Sequence, residues 1–161
     1  MILQEEIKLN EELSIEPYQE EKHSEVLEEM RNDAELRHFL ARTKGLNIIK
    51  KDNIPIGYVF FDELYYLEGE NSVSLTVGLK KEYRSETKDD KKGMGKYVIS
   101  ELASYLLTDA NFDAVVLETR PQDERMQKVA LGTAFQRDWE LSSKFYEEGY
   151  PDVPYVKRNS R

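Results

Sequence analysis

Val73-Ser74-Leu75-Thr76-Val77-Gly78-Leu79 leads through a polar loop, residues 80–92, into Gly93-Met94-Gly95-Lys96-Tyr97-Val98-Ile99, and this stretch decides how the chain is read. Val73, Leu75, Val77 and Leu79 alternate with small or polar residues, the period-2 pattern of a strand. Val98, Ile99, Leu102, Ala103, Leu106 and Leu107 recur at helical spacing. Gly93 and Gly95 therefore fall at a helix N-terminus, where backbone N–H groups lack intrahelical acceptors and the macrodipole is positive. Glycine lets those donors approach an anion closely. Lys88, Lys91, Lys92 and Lys96 gather at the same place in an otherwise acidic chain. The combination suits a pyrophosphate.

Other glycine loops fit less well. A Walker-type loop needs a glycine where Asp90 stands and Ser or Thr where Tyr97 stands. A dinucleotide fingerprint needs a third glycine at Val98 and a tight strand-to-helix turn, which the long loop forbids. A glycine pair that merely ends a loop stays open on this segment alone.

The chain has 161 residues, a net charge of −9 and no cysteine. That length suits one domain, residues 1–161, with residues 1–12 as an extra edge strand or an arm. Without cysteine there is no thiolate nucleophile, disulfide or thiolate metal site, and no metal is expected. The acidic balance argues against nucleic acid and for a cationic partner. With no apolar run long enough to span a bilayer, no membrane partner is expected. Met1-Ile2-Leu3-Gln4-Glu5-Glu6 lacks the basic start of a signal peptide, so a cytoplasmic location is expected. His23 and His38 have no carboxylate or second histidine at ligand spacing in the sequence and read as packing or surface residues.

Elsewhere, Leu13 to Pro17 reads as a strand and Glu20 to Arg31 as a helix. Asp33 is placed to cap a second helix. Lys51-Asp52-Asn53 joins two strands as a hairpin. Another hairpin is expected across Tyr65 to Asn71. Residues 114–119 read as a buried strand, Asp123 as the cap of the next helix, and Trp139 to Tyr146 and Val153 to Lys157 as two closing strands. The expected fold is α/β (α+β): a mixed, mostly antiparallel sheet of about seven strands, with helices on both faces.

That order, with a glycine loop after the fourth strand, resembles the GNAT superfamily of acyl-CoA-dependent N-acetyltransferases over roughly Leu13 to Arg158. Lys81-Glu82-Tyr83-Arg84 stands where that family has a Pro-Glu-Tyr-Arg-like segment, and Gly93-Met94-Gly95 supplies its central glycines. Leu117 to Met126 with Ala134-Phe135 loosely matches its second segment. The family's leading Arg/Gln is Asp90 here, its usual asparagine is Asp123, and its thiolate-protonating tyrosine falls at Ala130.

The resemblance implies acetyl-CoA as co-substrate, lying in a splay between the fourth and fifth strands. Val77 and Leu79 would pair with the pantetheine amides, Asp123 would lie near that arm, and Lys91, Lys92, Gly93, Met94, Gly95 and Lys96 would hold the pyrophosphate. The acceptor would be an amine-bearing substrate, cationic in keeping with the net charge, and a homodimer is among the expectations. Deprotonating a lysine-like amine at pH 7 costs about 4.6 kcal/mol, an α-amine about 1 kcal/mol, whereas thiolate departure costs about 2 kcal/mol. A base therefore matters more than an acid. Glu118 is the candidate base, and Tyr146 or Tyr83 a substitute acid. Asp62, Glu63, Glu68 and Glu70, with Tyr65 and Tyr66, form an acidic rim suited to an amine. A non-catalytic acyl-CoA-binding or protein-interaction module with this fold is the alternative.

Overall fold

The structure, a computed structural model, describes residues 1–64, 67–84 and 94–159. In chain order the elements are β1 (Ile7–Lys8), β2 (Leu13–Pro17), α1 (Glu20–Arg31), α2 (Ala34–Arg37), β3 (Asn47–Lys51), β4 (Ile54–Leu64) and β5 (Ser72–Leu79). There follow α3 (Met94–Thr108), β6 (Ala114–Thr119), α4 (Glu124–Gly132), β7 (Gln136–Arg137), α5 (Trp139–Glu147) and β8 (Val153–Arg158). Single 3-10 turns cover His38–Leu40 and Lys81–Tyr83.

Local chemistry explains most boundaries. The β3–β4 turn has Asp52 at φ 50° and Asn53 at φ 65°, the two positive values of a type I′ hairpin, with Lys51 paired to Ile54. Asp33, Asp123 and Asp138 each accept a backbone N–H at the start of a helix, from Glu35 at 3.0 Å, Met126 at 3.0 Å and Leu141 at 2.8 Å.

Asp138 marks a correction. The stretch from Trp139 to Tyr146, expected as a strand, is helix α5. Leu141 and Phe145 are buried while Trp139 and Tyr146 are exposed, a spacing of four and seven rather than an alternation. The strand expected there is the short β7 just upstream, and β1 brings the sheet to eight strands.

The strand order is β1-β2-β3-β4-β5-β6-β8-β7. β5 and β6 run parallel, Ser72 opposite Ala114 through Leu75 opposite Leu117, as the α3 crossover between them requires. The pairings of β1 with β2, β2 with β3, β3 with β4, β6 with β8 and β7 with β8 are antiparallel.

The chain divides into two compact units. One comprises Met1–Phe60 and Val77–Val98, the other Phe61–Thr76 and Ile99–Arg161. In the first, Leu27 and Met30 of α1, Leu36 of α2, Ile48 of β3 and Tyr58 and Phe60 of β4 form the core. In the second, Ala114 and Val116 of β6, Leu141 and Phe145 of α5 and Val156 of β8 do so with Leu67. Each Leu, Ile, Val, Met or Phe among them contributes on the order of 1.5–3 kcal/mol when fully buried.

Two glycines let backbone and ring pack closely in the first unit. A Cβ at Gly78 would collide with the Tyr58 ring, and one at Gly57 with the Gly78 carbonyl. Tyr58 is 1% exposed, and burial pushes its phenol well above its usual pKa.

Candidate functional site

β5 and the start of α3 carry the residues expected to hold the cofactor. The ladder to β6 ends at Leu75 and Leu117, and β5 continues through residues 76–79. Thr76 and Val77 are half-buried, whereas Gly78 and Leu79 are buried. The Leu79 carbonyl accepts a 3.4 Å hydrogen bond from Arg84 Nη1, and the Lys80 N–H donates to the Ile56 carbonyl at 2.8 Å. Arg84 also reaches Asp33 at 2.9 Å and Glu35 at 3.5 Å, so the end of β5 is tied to the start of α2.

Helix α3 begins at Met94, with Gly95 in its first turn and Lys96 exposed. A Cβ built on Gly95 meets nothing within 4 Å. A side chain at position 95 would therefore meet no described neighbour, and packing among the described residues does not require glycine there. Lys91, Lys92 and Gly93 lie outside the described residues, as do Tyr65 and Tyr66.

Tyr97, one position further along α3, forms a latch that the sequence alone did not reveal. Its hydroxyl donates to Glu12 at 2.6 Å and accepts from Asn10 Nδ2 at 2.8 Å. Asn10 Oδ1 in turn accepts the backbone N–H groups of Glu12 and Leu13, at 2.9 and 2.8 Å. The first turn of α3 is thereby fastened to the segment between β1 and β2.

Glu118 lies on β6 opposite Pro154 of β8. Its side chain keeps access to solvent, yet surrounding protein crowds the carboxyl. That desolvation, reinforced by the negative charges of Asp152 and Asp62, raises its pKa above the usual glutamate value. Asp62, from the expected acidic rim, thus belongs to the surroundings of Glu118, and Asp152 joins it unforeseen. Glu70, from the same rim, is engaged by Arg158 Nε at 2.8 Å.

The remaining expectations separate. Asp123 caps α4, its Oδ1 held by the Met126 N–H. Ala130 is fully buried in that helix. Tyr146 is 87% exposed on α5. Tyr83 lies in the 3-10 turn after β5, half-buried.

His23 departs from its reading in one respect. It is buried, and a carboxylate partner reaches it from a neighbouring strand: its Nε2 is 2.7 Å from Glu16 Oε1 of β2. Its Nδ1 accepts the Gln19 N–H at 2.9 Å, so Nε2 carries the proton and donates to Glu16. Lys22 and Lys50 complete the cluster, at 3.0 and 3.3 Å from Glu16. Burial alone would raise the Glu16 pKa, but the hydrogen bonds from His23, Lys22 and Lys50 outweigh it and lower the value to about 2.

Among the described residues no histidine and carboxylate grouping suits a metal ion, and no helix is long and apolar enough to cross a membrane.

No family model and no curated protein matches the sequence. Solved structures do match its fold. RimL, the ribosomal L7/L12 alpha-N-protein acetyltransferase in complex with coenzyme A, is 11% identical with a TM-score of 0.67, covering 96% of this chain and 98% of that one. A GNAT-family acetyltransferase from Bacillus anthracis is 14% identical with a TM-score of 0.67, covering 94% and 97%. The dodecameric spermidine N-acetyltransferase from Vibrio cholerae is 15% identical with a TM-score of 0.62, covering 94% and 96%. The parallel β5–α3–β6 crossover, the strand order and these likenesses agree: the chain has the GNAT acetyltransferase fold.

Proposed function

We propose that this chain is an N-acetyltransferase of the GNAT type, moving acetyl from acetyl-CoA directly to a primary amine of a small molecule or of a peptide or protein N-terminus. One observation carries the reading. The parallel β5–β6 ladder stops at Leu75 and Leu117, just before the strand end and glycine-led helix whose fold relatives include a coenzyme A complex. The absence of cysteine favours direct transfer over a thiol-bound acyl enzyme.

Acetyl-CoA supplies the activated acyl group. Backbone groups of Val77 and Leu79 pair with the amides of its pantetheine arm. The N–H groups of Gly93, Met94 and Gly95, with the charges of Lys91, Lys92 and Lys96, receive the pyrophosphate.

Glu118 takes the proton from the acceptor ammonium. Its raised pKa brings it closer to neutrality and makes it a stronger base than an ordinary surface glutamate. Asp62 and Asp152 attract a cationic amine into the same field. That field also stabilises the ammonium, so proton removal is the step Glu118 must supply. Thiolate departure costs only about 2 kcal/mol at pH 7, so the reaction tolerates alanine at position 130 and needs no proton from the exposed Tyr146.

The test is incubation with acetyl-CoA and a panel of α-amines, lysine-type amines and polyamines, measuring free thiol. Release above the uncatalysed rate with at least one amine class is expected. No release from any class overturns the reading.

The buried Ala130 favours one second reading, an acyl-CoA-binding module without turnover. It predicts calorimetric binding of CoA with no thiol release.

A further inference from the structure

We propose that the surface from Arg37 at the end of α2 to Lys44 before β3 binds a short acidic segment of a partner protein, one with an apolar side chain among its carboxylates. The proposal stands apart from the acyl-transfer reading and does not depend on it.

The chain has a net charge of −9, yet no Asp or Glu occurs between Glu35 and Asp52. Arg37, Arg42 and Lys44 fall in that interval, and all three are exposed. The acids just before it are engaged, Asp33 and Glu35 by Arg84 at 2.9 and 3.5 Å. Glu28, about a turn before Arg31 on α1, offsets part of the charge and leaves the surface positive.

Backbone carbonyls fix two of the guanidinium groups. Arg31 Nε donates to the Leu40 carbonyl at 2.9 Å, and Arg37 Nε donates to the Arg31 carbonyl at 3.0 Å. Each bond satisfies a carbonyl at the end of a helical turn and uses only one of the several N–H donors of an arginine. Neither arginine meets a carboxylate among the described residues, whereas Lys50, Lys51 and Lys80 each do. Their remaining donors form the planar fork that takes a carboxylate through two parallel bonds. Anchoring at Nε has already removed part of the side-chain freedom that binding would otherwise cost.

An apolar contact lies among these cations. Phe39 is 39% exposed, and its ring meets that of His38 edge-on at 5.2 Å. A Leu or Phe flanked by Asp and Glu complements that arrangement, since its carboxylates face the cations and its side chain covers Phe39. A nucleic-acid strand fits less well. It would run past this short interval onto the rest of a net negative chain, where its phosphates are repelled. A short acidic segment ends within the interval.

The test is fluorescence anisotropy with a short labelled peptide of Asp and Glu around a single Leu. Saturable binding is expected, and it should weaken severalfold as salt rises past physiological strength, because exposed charges are screened. Arg37→Gln with Lys44→Gln should weaken it about tenfold. Phe39→Ala should weaken it about threefold for this peptide and much less for one with Ser in place of Leu. Circular dichroism melts check that every variant stays folded. Absence of binding overturns the proposal, as does binding that the Arg37 and Lys44 changes leave intact. Loss in Lys96→Gln instead assigns the peptide to the start of α3 and also overturns it. So does tighter binding of a single-stranded RNA of equal charge, which would assign the surface to nucleic acid.

Discussion

The Tyr97 hydroxyl donates a 2.6 Å hydrogen bond to Glu12, joining the first turn of α3 to a segment 85 residues earlier. Asn10 supplies the second bond to the same oxygen. Tyr97→Phe leaves the ring and removes both bonds. With Glu12 partly exposed, the loss should be about 1 kcal/mol of stability, read from urea unfolding. If α3 receives the pyrophosphate, KM for acetyl-CoA should rise severalfold with kcat nearly unchanged, since a loosened first turn weakens binding rather than proton transfer. A fall in kcat alone would contradict that division.

Glu118→Gln tests the base. With a lysine-type amine, kcat/KM should fall by roughly 10²–10⁴, and by much less with an α-amine. In the unaltered protein the rate should climb with pH through the raised Glu118 pKa, because only the carboxylate accepts a proton. The stability consequence has the opposite sign. A pKa raised by folding favours the protonated form, so this stabilisation is present at low pH and lost as pH rises through the folded value. At neutral pH the Gln variant should be no less stable than the parent in chemical denaturation.

Glu16 carries the converse linkage. Its pKa falls from the usual 4.5 to about 2, so its contribution is complete above 4.5 and disappears as pH falls through 2. Exposure of Lys22 screens part of the cluster, leaving roughly 1–3 kcal/mol at pH 7. Glu16→Gln should lower the unfolding midpoint at pH 7 and approach the parent near pH 2. Parallel curves across that range would assign the effect to packing.

Gly78→Ala places a methyl group into the Tyr58 ring. Overpacking of this kind costs about 1–3 kcal/mol, and thermal unfolding should show it as a lowered Tm. Tyr58→Phe in the same background should not rescue it, because the ring carbons remain.

Short-range chemistry was legible in the chain. Helix α1 spans Glu20–Arg31 as its apolar spacing indicates, and β6 spans Ala114–Thr119. Asp33 and Asp123 cap helices, and Asp52-Asn53 turns a hairpin. The failure at α5 was also local. Asp138 before Trp139 and the Leu141–Phe145 spacing were available as helix signs, yet the stretch was read as a closing strand.

The site divides along the same line. Amphipathic period, caps and positive-φ turns act within a few residues, so the sequence by itself determined α1, the β3–β4 hairpin, β6, the caps of α2 and α4, and a mixed sheet with helices. Partners brought together by the sheet have no local signature. Folding alone set Tyr97 against Glu12, gave His23 the Glu16 carboxylate and crowded Glu118 with Asp62 and Asp152. Those contacts depend on distances across the fold, because charge and hydrogen bonding act through space. Only the tertiary structure decided which side chains share an environment.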